Sequence, residues 1–353
     1  MKNINEFLEL FPNKETKRQY RCHLNTYFKT IQTQPENYFQ KDRDYEQDVT
    51  QYWQTIQKYA PLTRTAKISA IRGFLEENNI ELSSRFWKKL SKRSKGKRAI
   101  TIDAAPSNTQ LKRILSHADE MTRAVTLIGC SSGLRINEIL NLHESDIKPN
   151  GKLLRIYIRP EISKTGETRV TFATDEAKQA LQEWMKVRYH WLKSSLNKGR
   201  GVLGYNGYEN RKTIDDPRVF PIDYSCFNRK WSRCLKKAGL NERDVSTGYH
   251  KYHIHTLRKF FETRMSTAGV PEAIIQQLQG HTGYLNGSYK RYMESELEQA
   301  YNTGKPLLMI FESAENLSGI TNELDRLRQE REEDRKVIME LRLKILEVKN
   351  GIN

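Results

Sequence analysis

The stretch that decides the fold runs from Tyr249 to Tyr292 and reads YHKYHIHTLRKFFETRMSTAGVPEAIIQQLQGHTGYLNGSYKRY. A helix is predicted just after His255, because apolar residues recur there at helical spacing, at Leu257, Phe260, Phe261 and Met265. Gly269 and Pro271 end that helix. A second short helix then stops at Gly280, immediately before His281.

The polar residues of this stretch suit chemistry on a phosphate. Arg258 offers a planar fork of donors to phosphate oxygens, and His255 and His281 can donate near neutral pH. Tyrosine supplies an oxygen nucleophile, and Ser288 could cap a helix that begins at Tyr289. The spacing of His255 and Arg258 alone is weak evidence, since two polar residues at i and i+3 are usually one solvated helix face.

Two further cations lie upstream in defined contexts. In CSSGLRINEILNL a turn of small residues precedes Arg135, which begins a helix, and Glu138 lies on the same face and could brace its guanidinium. LLRIYIRP and TRVTFAT are β-rich runs on either side of SKTGE, which predicts a hairpin with Lys164 at its tip and Gly166 in the turn. A lysine at a hairpin tip could equally be solvated.

Size and charge indicate a two-domain protein that binds a polyanion. The chain has 353 residues, and 60 Lys and Arg against 43 Asp and Glu give a net charge of +17, for which nucleic acid is the simplest partner. The alternative is a protein that is basic without binding a polyanion. No apolar run is long enough to cross a membrane. The four scattered cysteines favour reduced packing residues in a cytoplasmic protein.

The expected organisation has four parts: a helical domain with basic faces at 1–95, a basic linker at 96–106, a second domain with the candidate phosphate-binding residues at 107–312 and a tail at 313–353. The first helices combine a core side with a basic side. Residues 194–216 are expected to form a polar insertion. The candidate DNA contacts on the helices and in the linker are Lys14, Lys17, Arg18, Arg64, Lys67, Arg72, Lys92, Arg93, Lys95 and Lys97.

With these motifs in one order, the chain resembles the tyrosine recombinase (phage integrase) family. SSGLRINEILNL looks like the family's first-arginine motif, SKTGETRVTF like its lysine hairpin, and HTLRKFFETRMSTAGVPEAIIQQLQGH like the block that joins its last histidines. The sequence of the segment GHTGYLNGSYKRY is most similar to integrases of archaeal viruses and plasmids. The resemblance implies a mainly α fold with a small β-hairpin, built as a two-domain DNA clamp. It also implies a prokaryotic host and a virus, plasmid or integrated element as the source.

The position of the nucleophile departs from the family pattern. The usual spacing after the last histidine falls on Lys290, with Tyr289 one residue before it and Tyr292 two residues beyond. Tyr289 is favoured because it directly follows the glycine loop. Tyr292 and Met293 would continue an inward-facing stripe with Leu297 and Tyr301. Tyr292 remains the alternative nucleophile.

The implied reaction is a transesterification that needs neither metal, cofactor nor ATP. The tyrosine attacks a DNA phosphate and leaves a 3′-phosphotyrosyl link. Arg135 and Arg258 clamp the oxygens, Lys164 protonates the leaving 5′ oxygen, and His255 and His281 donate to the phosphate or assist proton transfer. Two alternatives stay open: a type IB topoisomerase-like or resolvase enzyme with the same chemistry, and a DNA-binding protein that has lost catalysis.

The tail carries a repeat of its own. Apolar residues alternate in steps of three and four from Leu317 to Val348, interrupted by Arg331 and Asp334. Such a seam predicts a short coiled coil between protomers, in line with a tetramer that holds two DNA sites. The alternative is one solvated helix that folds back on its own domain.

Overall fold

The computed structural model describes residues 2–39, 43–92, 104–199, 213–244, 248, 250–281 and 292–311. These residues divide into two compact units. The first contains the residues up to Lys92 together with Arg243, Asp244 and Gly248, and the second contains those of 104–242 and 250–311. The tail and its predicted coiled coil lie outside the described residues. In the part of the chain that is described, no helix is long and apolar enough to cross a membrane.

The first unit is helical, as its sequence predicts. It comprises α1 (Ile4–Glu9), α2 (Lys14–Thr30), a 3-10 turn (Pro35–Asn37), α3 (Tyr45–Thr55), α4 (Pro61–Glu76) and α5 (Ser84–Lys92). Asparagine side chains cap the first two helices, since Asn3 accepts from the Glu6 amide and Asn13 from the Glu15 amide. Aromatic side chains fill the core, with Tyr27, Tyr38 and Tyr52 fully buried.

The first half of the second unit places a small sheet among helices. It runs through α6 (Asn108–Leu115), α7 (Glu120–Ser132), α8 (Ile136–Leu140), a 3-10 turn (Glu144–Asp146), β1 (Ile147–Asn150), β2 (Leu153–Ile158) and β3 (Arg169–Ala173). The predicted hairpin is confirmed, because β2 and β3 pair antiparallel with Ile158 opposite Arg169. The sequence interpretation missed β1, which adds a third strand on the other side of β2.

The second half of the unit is helical again. It contains α9 (Asp175–Gly199), α10 (Tyr224–Lys237), α11 (Thr256–Thr267), α12 (Glu272–Gln279) and α13 (Glu294–Leu308). The break between α11 and α12 at Gly269 and Pro271 is confirmed. The expectation of a polar insertion from 194 is wrong for residues 194–199, because α9 continues as helix to Gly199. Residues 200–212 lie outside the described residues.

The predicted start of the last helix is wrong within the described residues. Met293 has extended backbone, and its amide donates to Glu296 Oε2 at 2.6 Å, so α13 begins only at Glu294. Met293 is 70% exposed instead of facing inward. Leu297 and Tyr301 do face the core. A side-chain cap therefore ends the extended segment where hydrophobic spacing suggested continuous helix.

Candidate active site

Arg258 is the most buried cation of the site. It lies in the first turn of α11 and is 2% exposed. Its Nη1 donates to the carbonyl of Gly133 at 2.7 Å, whereas its buried Nη2 has no partner among the described residues. Burial, and after it the charge of Arg135, lowers the pKa of Arg258 to about 9, so the group stays charged at neutral pH. A buried charged donor without a partner marks a place for a bound anion.

Arg135 lies beside the end of α12. It is the N-cap of α8, as the turn of small residues predicts. Its Nη1 donates to Glu138 Oε1 at 3.2 Å and its Nη2 to the Gly280 carbonyl at 3.3 Å. The guanidinium therefore connects the α7–α8 turn to the segment that carries His281.

Glu138 is shared by two arginines. Its carboxylate is 1% exposed, and Oε2 accepts both the Arg135 amide at 2.8 Å and Arg169 Nη2 at 2.6 Å. Because three guanidinium groups, those of Arg135, Arg169 and Arg258, surround this single buried carboxylate, the cluster keeps an excess of positive charge. Such an excess favours a bound anion.

His281 follows Gly280, whose left-handed conformation ends α12. Its Nδ1 lies 2.6 Å from Gln276 Oε1, while Gln276 Nε2 donates to the carboxylate of Glu272. That second bond turns the amide oxygen toward the histidine. An amide oxygen only accepts, so Nδ1 carries the proton and Nε2 is left with a lone pair. Desolvation, and after it the charges of Arg258 and Arg135, lowers the pKa of His281 to about 4.

His255 and Lys164 complete the predicted set at more exposed positions. His255 is the N-cap residue of α11, and its charge is among those that lower the pKa of His281. Lys164 lies in the exposed connection between β2 and β3, next to Gly166, whose φ is +73°. It makes no hydrogen bond or ion pair to the cluster in the part of the chain that the structure describes. The fold thus brings Arg135, Arg258, His255 and His281 together. Lys164 lies apart from them, on the connection between β2 and β3.

The two candidate nucleophiles differ in what can be described. Tyr289 lies outside the described residues. Tyr292 is half-buried against the hydrophobic core, and its main chain pairs with the Gln277 amide in both directions, at 3.1 Å each. Packing and a fixed main chain favour a structural role for Tyr292.

The candidate DNA contacts differ in how exposed they are. Lys14, Arg18, Arg72 and Lys92 are exposed, with Arg18 paired to Glu15 and Arg72 to Glu76. Lys17 is half-buried and pairs with Glu9. Arg93, Lys95 and Lys97 lie outside the described residues.

The expectation that α4 turns Arg64 and Lys67 toward solvent is wrong, because these residues are 6% and 8% exposed. Arg64 lies over the Trp53 ring and donates to Gln57 Oε1, and Lys67 lies over the Tyr59 ring. Contact of the charged groups with aromatic rings, and packing of the long alkyl chains, offset the free-energy cost of desolvating the two charges. Burial argues against direct contact of these two side chains with DNA.

Sequence reasoning missed three polar residues of the second unit. Arg169 binds Glu138, Gln276 sets the tautomer of His281, and Gln277 holds Tyr292. Arg169 lies only five positions after Lys164, which is the one signal that could have drawn attention to it. Nothing in the local spacing of the two glutamines distinguishes them from solvated helix residues.

Comparison with known proteins agrees with the motif order. The sequence model described as "Phage integrase family" matches residues 107–296. The chain is similar to the integrase of Salmonella phage P22, with 25% identity over 231 residues that cover 63% of this chain and 51% of the relative. It is also similar to tyrosine recombinase XerA of Saccharolobus solfataricus, with 26% identity over 216 residues, 61% of this chain and 57% of the relative. The matches thus span about half the length of these curated relatives.

Solved structures share the fold. A lambda integrase(75-356) dimer bound to a COC′ core site covers 82% of this chain and 89% of its own, with a TM-score of 0.53 and 14% identity. The Tn1549 transposon integrase (residues 82–397) in complex with circular intermediate DNA covers 85% of this chain and 99% of its own, with a TM-score of 0.50 and 16% identity. At such identities the likeness is one of fold.

Proposed function

The chain belongs to the phage integrase family, and we propose that it is a site-specific DNA recombinase. It cuts and rejoins double-stranded DNA through a 3′-phosphotyrosyl intermediate, without metal or ATP. The observation that carries this proposal is the buried Arg258, whose Nη2 has no partner among the described residues, beside Arg135 in a cluster with excess positive charge. A phosphodiester supplies the anion that this cluster lacks.

The two arginines act on the phosphate as its charge grows. Each offers donors to a non-bridging oxygen. Arg258 is held by the Gly133 carbonyl, and Arg135 by the Gly280 carbonyl and by Glu138, so the two guanidinium groups need no reorganisation when the transition state forms. The tyrosine oxygen, from Tyr289 in this proposal, bonds to phosphorus as the bond to the 5′ oxygen breaks. The phosphotyrosyl bond keeps the free energy of the phosphodiester. The 5′-hydroxyl of a DNA strand can therefore attack that bond later and rejoin the DNA.

Proton transfers accompany that exchange. Lys164, on the exposed β2–β3 connection, gives a proton to the departing 5′ oxygen. The tyrosine proton needs an acceptor, and the Nε2 lone pair of His281 can take it once the bound phosphate offsets the positive charge that disfavours protonation in the DNA-free site. His255, at the start of α11, would donate to the phosphate. The tautomer of His281 thus favours proton transfer over phosphate donation for this residue.

Exchange between two DNA sites requires several active sites, so we propose a tetramer on two duplexes, with the 313–353 tail as a contact between protomers. Basic residues of the first unit and the linker would follow the DNA backbone. The reaction takes place where prokaryotic DNA lies, in the cytoplasm.

A trapped covalent adduct tests the function. The substrate is a library of nicked duplexes with randomised sequence around the nick, so that the short cleaved fragment diffuses away and the tyrosine–DNA bond accumulates. We expect denaturant-resistant protein–DNA adducts from the unaltered chain and from Tyr292→Phe, and none from Tyr289→Phe, although both variants should bind DNA equally.

Each other outcome has a clear meaning. An adduct lost only in Tyr292→Phe moves the nucleophile to that residue. DNA binding with no adduct from the unaltered chain supports the non-catalytic binding protein instead. Adducts accompanied by supercoil relaxation by monomers, without exchange between sites, support the topoisomerase-like alternative.

A further inference from the structure

Arg169 connects three parts of the active site that are far apart in the sequence. It opens β3, on the strand that continues from the Lys164 loop. Its Nη2 binds Glu138 Oε2 at 2.6 Å, and its Nε donates to the carbonyl of Leu278, near the end of α12, at 3.2 Å. The two side chains of the ion pair are 8% and 1% exposed.

The guanidinium also lies flat against the residue that precedes His281. A methyl group added to Gly280 would come within 2.7 Å of Arg169 Cζ. Glycine at this position therefore allows the arginine to approach the main chain directly, in addition to allowing the positive φ of 67°. The Glu138 carboxylate that Arg169 binds also binds Arg135. The Arg169 side chain therefore contacts both the partner of Arg135 and the main chain that precedes His281.

We propose that Arg169 is a positioning residue of the active site, which sets the Arg135 guanidinium and the His281 ring relative to each other through Glu138 and the end of α12. The proposal rests on the proposed function for its catalytic consequence, but its structural claim can be tested without DNA. Arg169 itself would not touch the reacting phosphate.

Two substitutions separate the geometry of Arg169 from its charge. Arg169→Lys keeps the charge, but one ammonium on a flexible stem cannot reproduce the fork that reaches Glu138 and Leu278 together. Arg169→Met removes both charge and fork. The matched control is Arg159→Met, because Arg159 makes a similar ion pair with the buried Asp146, at 2.9 Å, and binds none of the catalytic residues.

The first measurement is nuclear magnetic resonance of the DNA-free full chain, with His281 assigned by comparison with His281→Gln. We expect the hydrogen-bonded Nδ1–H signal of His281 in the unaltered chain and in Arg159→Met, and its loss in both Arg169 variants. The pKa of His281 should rise in Arg169→Met, where a neighbouring cation is removed, and change little in Arg169→Lys. If the signal persists unchanged in both Arg169 variants, the proposal is wrong whatever the enzyme does.

The second measurement is single-turnover adduct formation on a nicked duplex recovered from the library. Misplacement of catalytic groups should slow both Arg169 variants by about 10- to 100-fold, with duplex affinity unchanged and Arg159→Met close to the unaltered rate. Unaltered rates in both Arg169 variants, or equal slowing in Arg159→Met, would overturn the proposal.

If Arg169→Met does not fold, Arg169→Lys carries both measurements. No adduct from the unaltered chain would refute the proposed function alone and leave the magnetic-resonance result to decide the role of Arg169.

Discussion

His281 shows how desolvation and neighbouring cations together fix the protonation state of a single side chain. It faces the charges of Arg258, Arg135, Arg169 and His255, and it reaches the carboxylate of Glu272 only through the Gln276 amide. Protonation would therefore add a charge to a cluster that is already positive. The neutral ring, with its proton on Nδ1, is the stable form at pH 7.

This state predicts a pH dependence of stability. The pKa of His281 is about 4 in the folded chain and 6.5 as the reference for the unfolded chain. Between these values the unfolded chain binds the proton and the folded chain does not, so the free energy of unfolding should fall as pH is lowered from about 6.5 to about 4. Chemical unfolding at pH 7 and pH 5 should show a larger loss for the unaltered chain than for His281→Gln. Equal losses would mean that His281 is not held neutral.

At the scale of elements, the turn between α7 and α8 places both arginines. Gly133 ends α7 in the left-handed conformation, with φ of +66°, and its carbonyl accepts the Arg258 bond. A Cβ at Gly133 would come 2.4 Å from the ring of the buried Phe261 on α11. The close approach of α7 and α11 therefore requires glycine, and the same approach brings Arg258 to the turn.

We accordingly expect Gly133→Ala to reduce the free energy of unfolding by about 2–5 kcal/mol, since left-handed strain and overpacking against Phe261 add together. The matched control is Gly166→Ala, because Gly166 also has a positive φ but nothing within 4 Å of an added Cβ. Its cost should be the backbone strain alone, about 1–2 kcal/mol. Denaturant unfolding measures both values, and equal costs would contradict the proposed contact with Phe261.

For the whole molecule, the balance of charge bears on the proposed binding of DNA. Sixty basic residues against 43 acidic residues leave +17. Several basic residues of α2 and α4 are already paired with glutamates. The densest basic run of the sequence includes Lys92, Arg93, Lys95 and Lys97, at the end of α5 and the start of the linker. Neutralised DNA phosphates release counterions, which makes binding depend on salt.

The logarithm of affinity should fall with the logarithm of salt concentration by about 0.9 per phosphate neutralised. Replacing Lys92, Arg93, Lys95 and Lys97 with alanine should flatten that slope. The control replaces an equal number of exposed lysines on α9 and α10, namely Lys186, Lys193, Lys236 and Lys237. Fluorescence anisotropy on a duplex at several salt concentrations measures the slopes. If the variant that lacks Lys92, Arg93, Lys95 and Lys97 shows a slope as steep as that of the unaltered chain, the phosphate contacts lie elsewhere.

The sequence by itself determined the elements and the order of the candidate catalytic motifs. Helical spacing in α11, the breaks at Gly269 and Gly280, and the alternating strands around the Lys164 loop all depend on residues within a few positions of one another. Such short-range rules also located Arg135 at a helix start with Glu138 one turn on. The described helices and strands confirm these elements.

Only the tertiary structure decided which groups share partners. Arg169 donates a hydrogen bond to the Leu278 carbonyl, 109 positions away in the sequence. Arg258 donates one to the Gly133 carbonyl, 125 positions away. The spacing on α4 suggested exposed basic groups, yet Arg64 and Lys67 are covered by aromatic rings from elsewhere in the first unit. A local pattern records which face of an element is apolar. The partner that a polar side chain finds depends on which distant segments pack beside it, because hydrogen bonds and desolvation act over contact distance, whatever the separation along the chain.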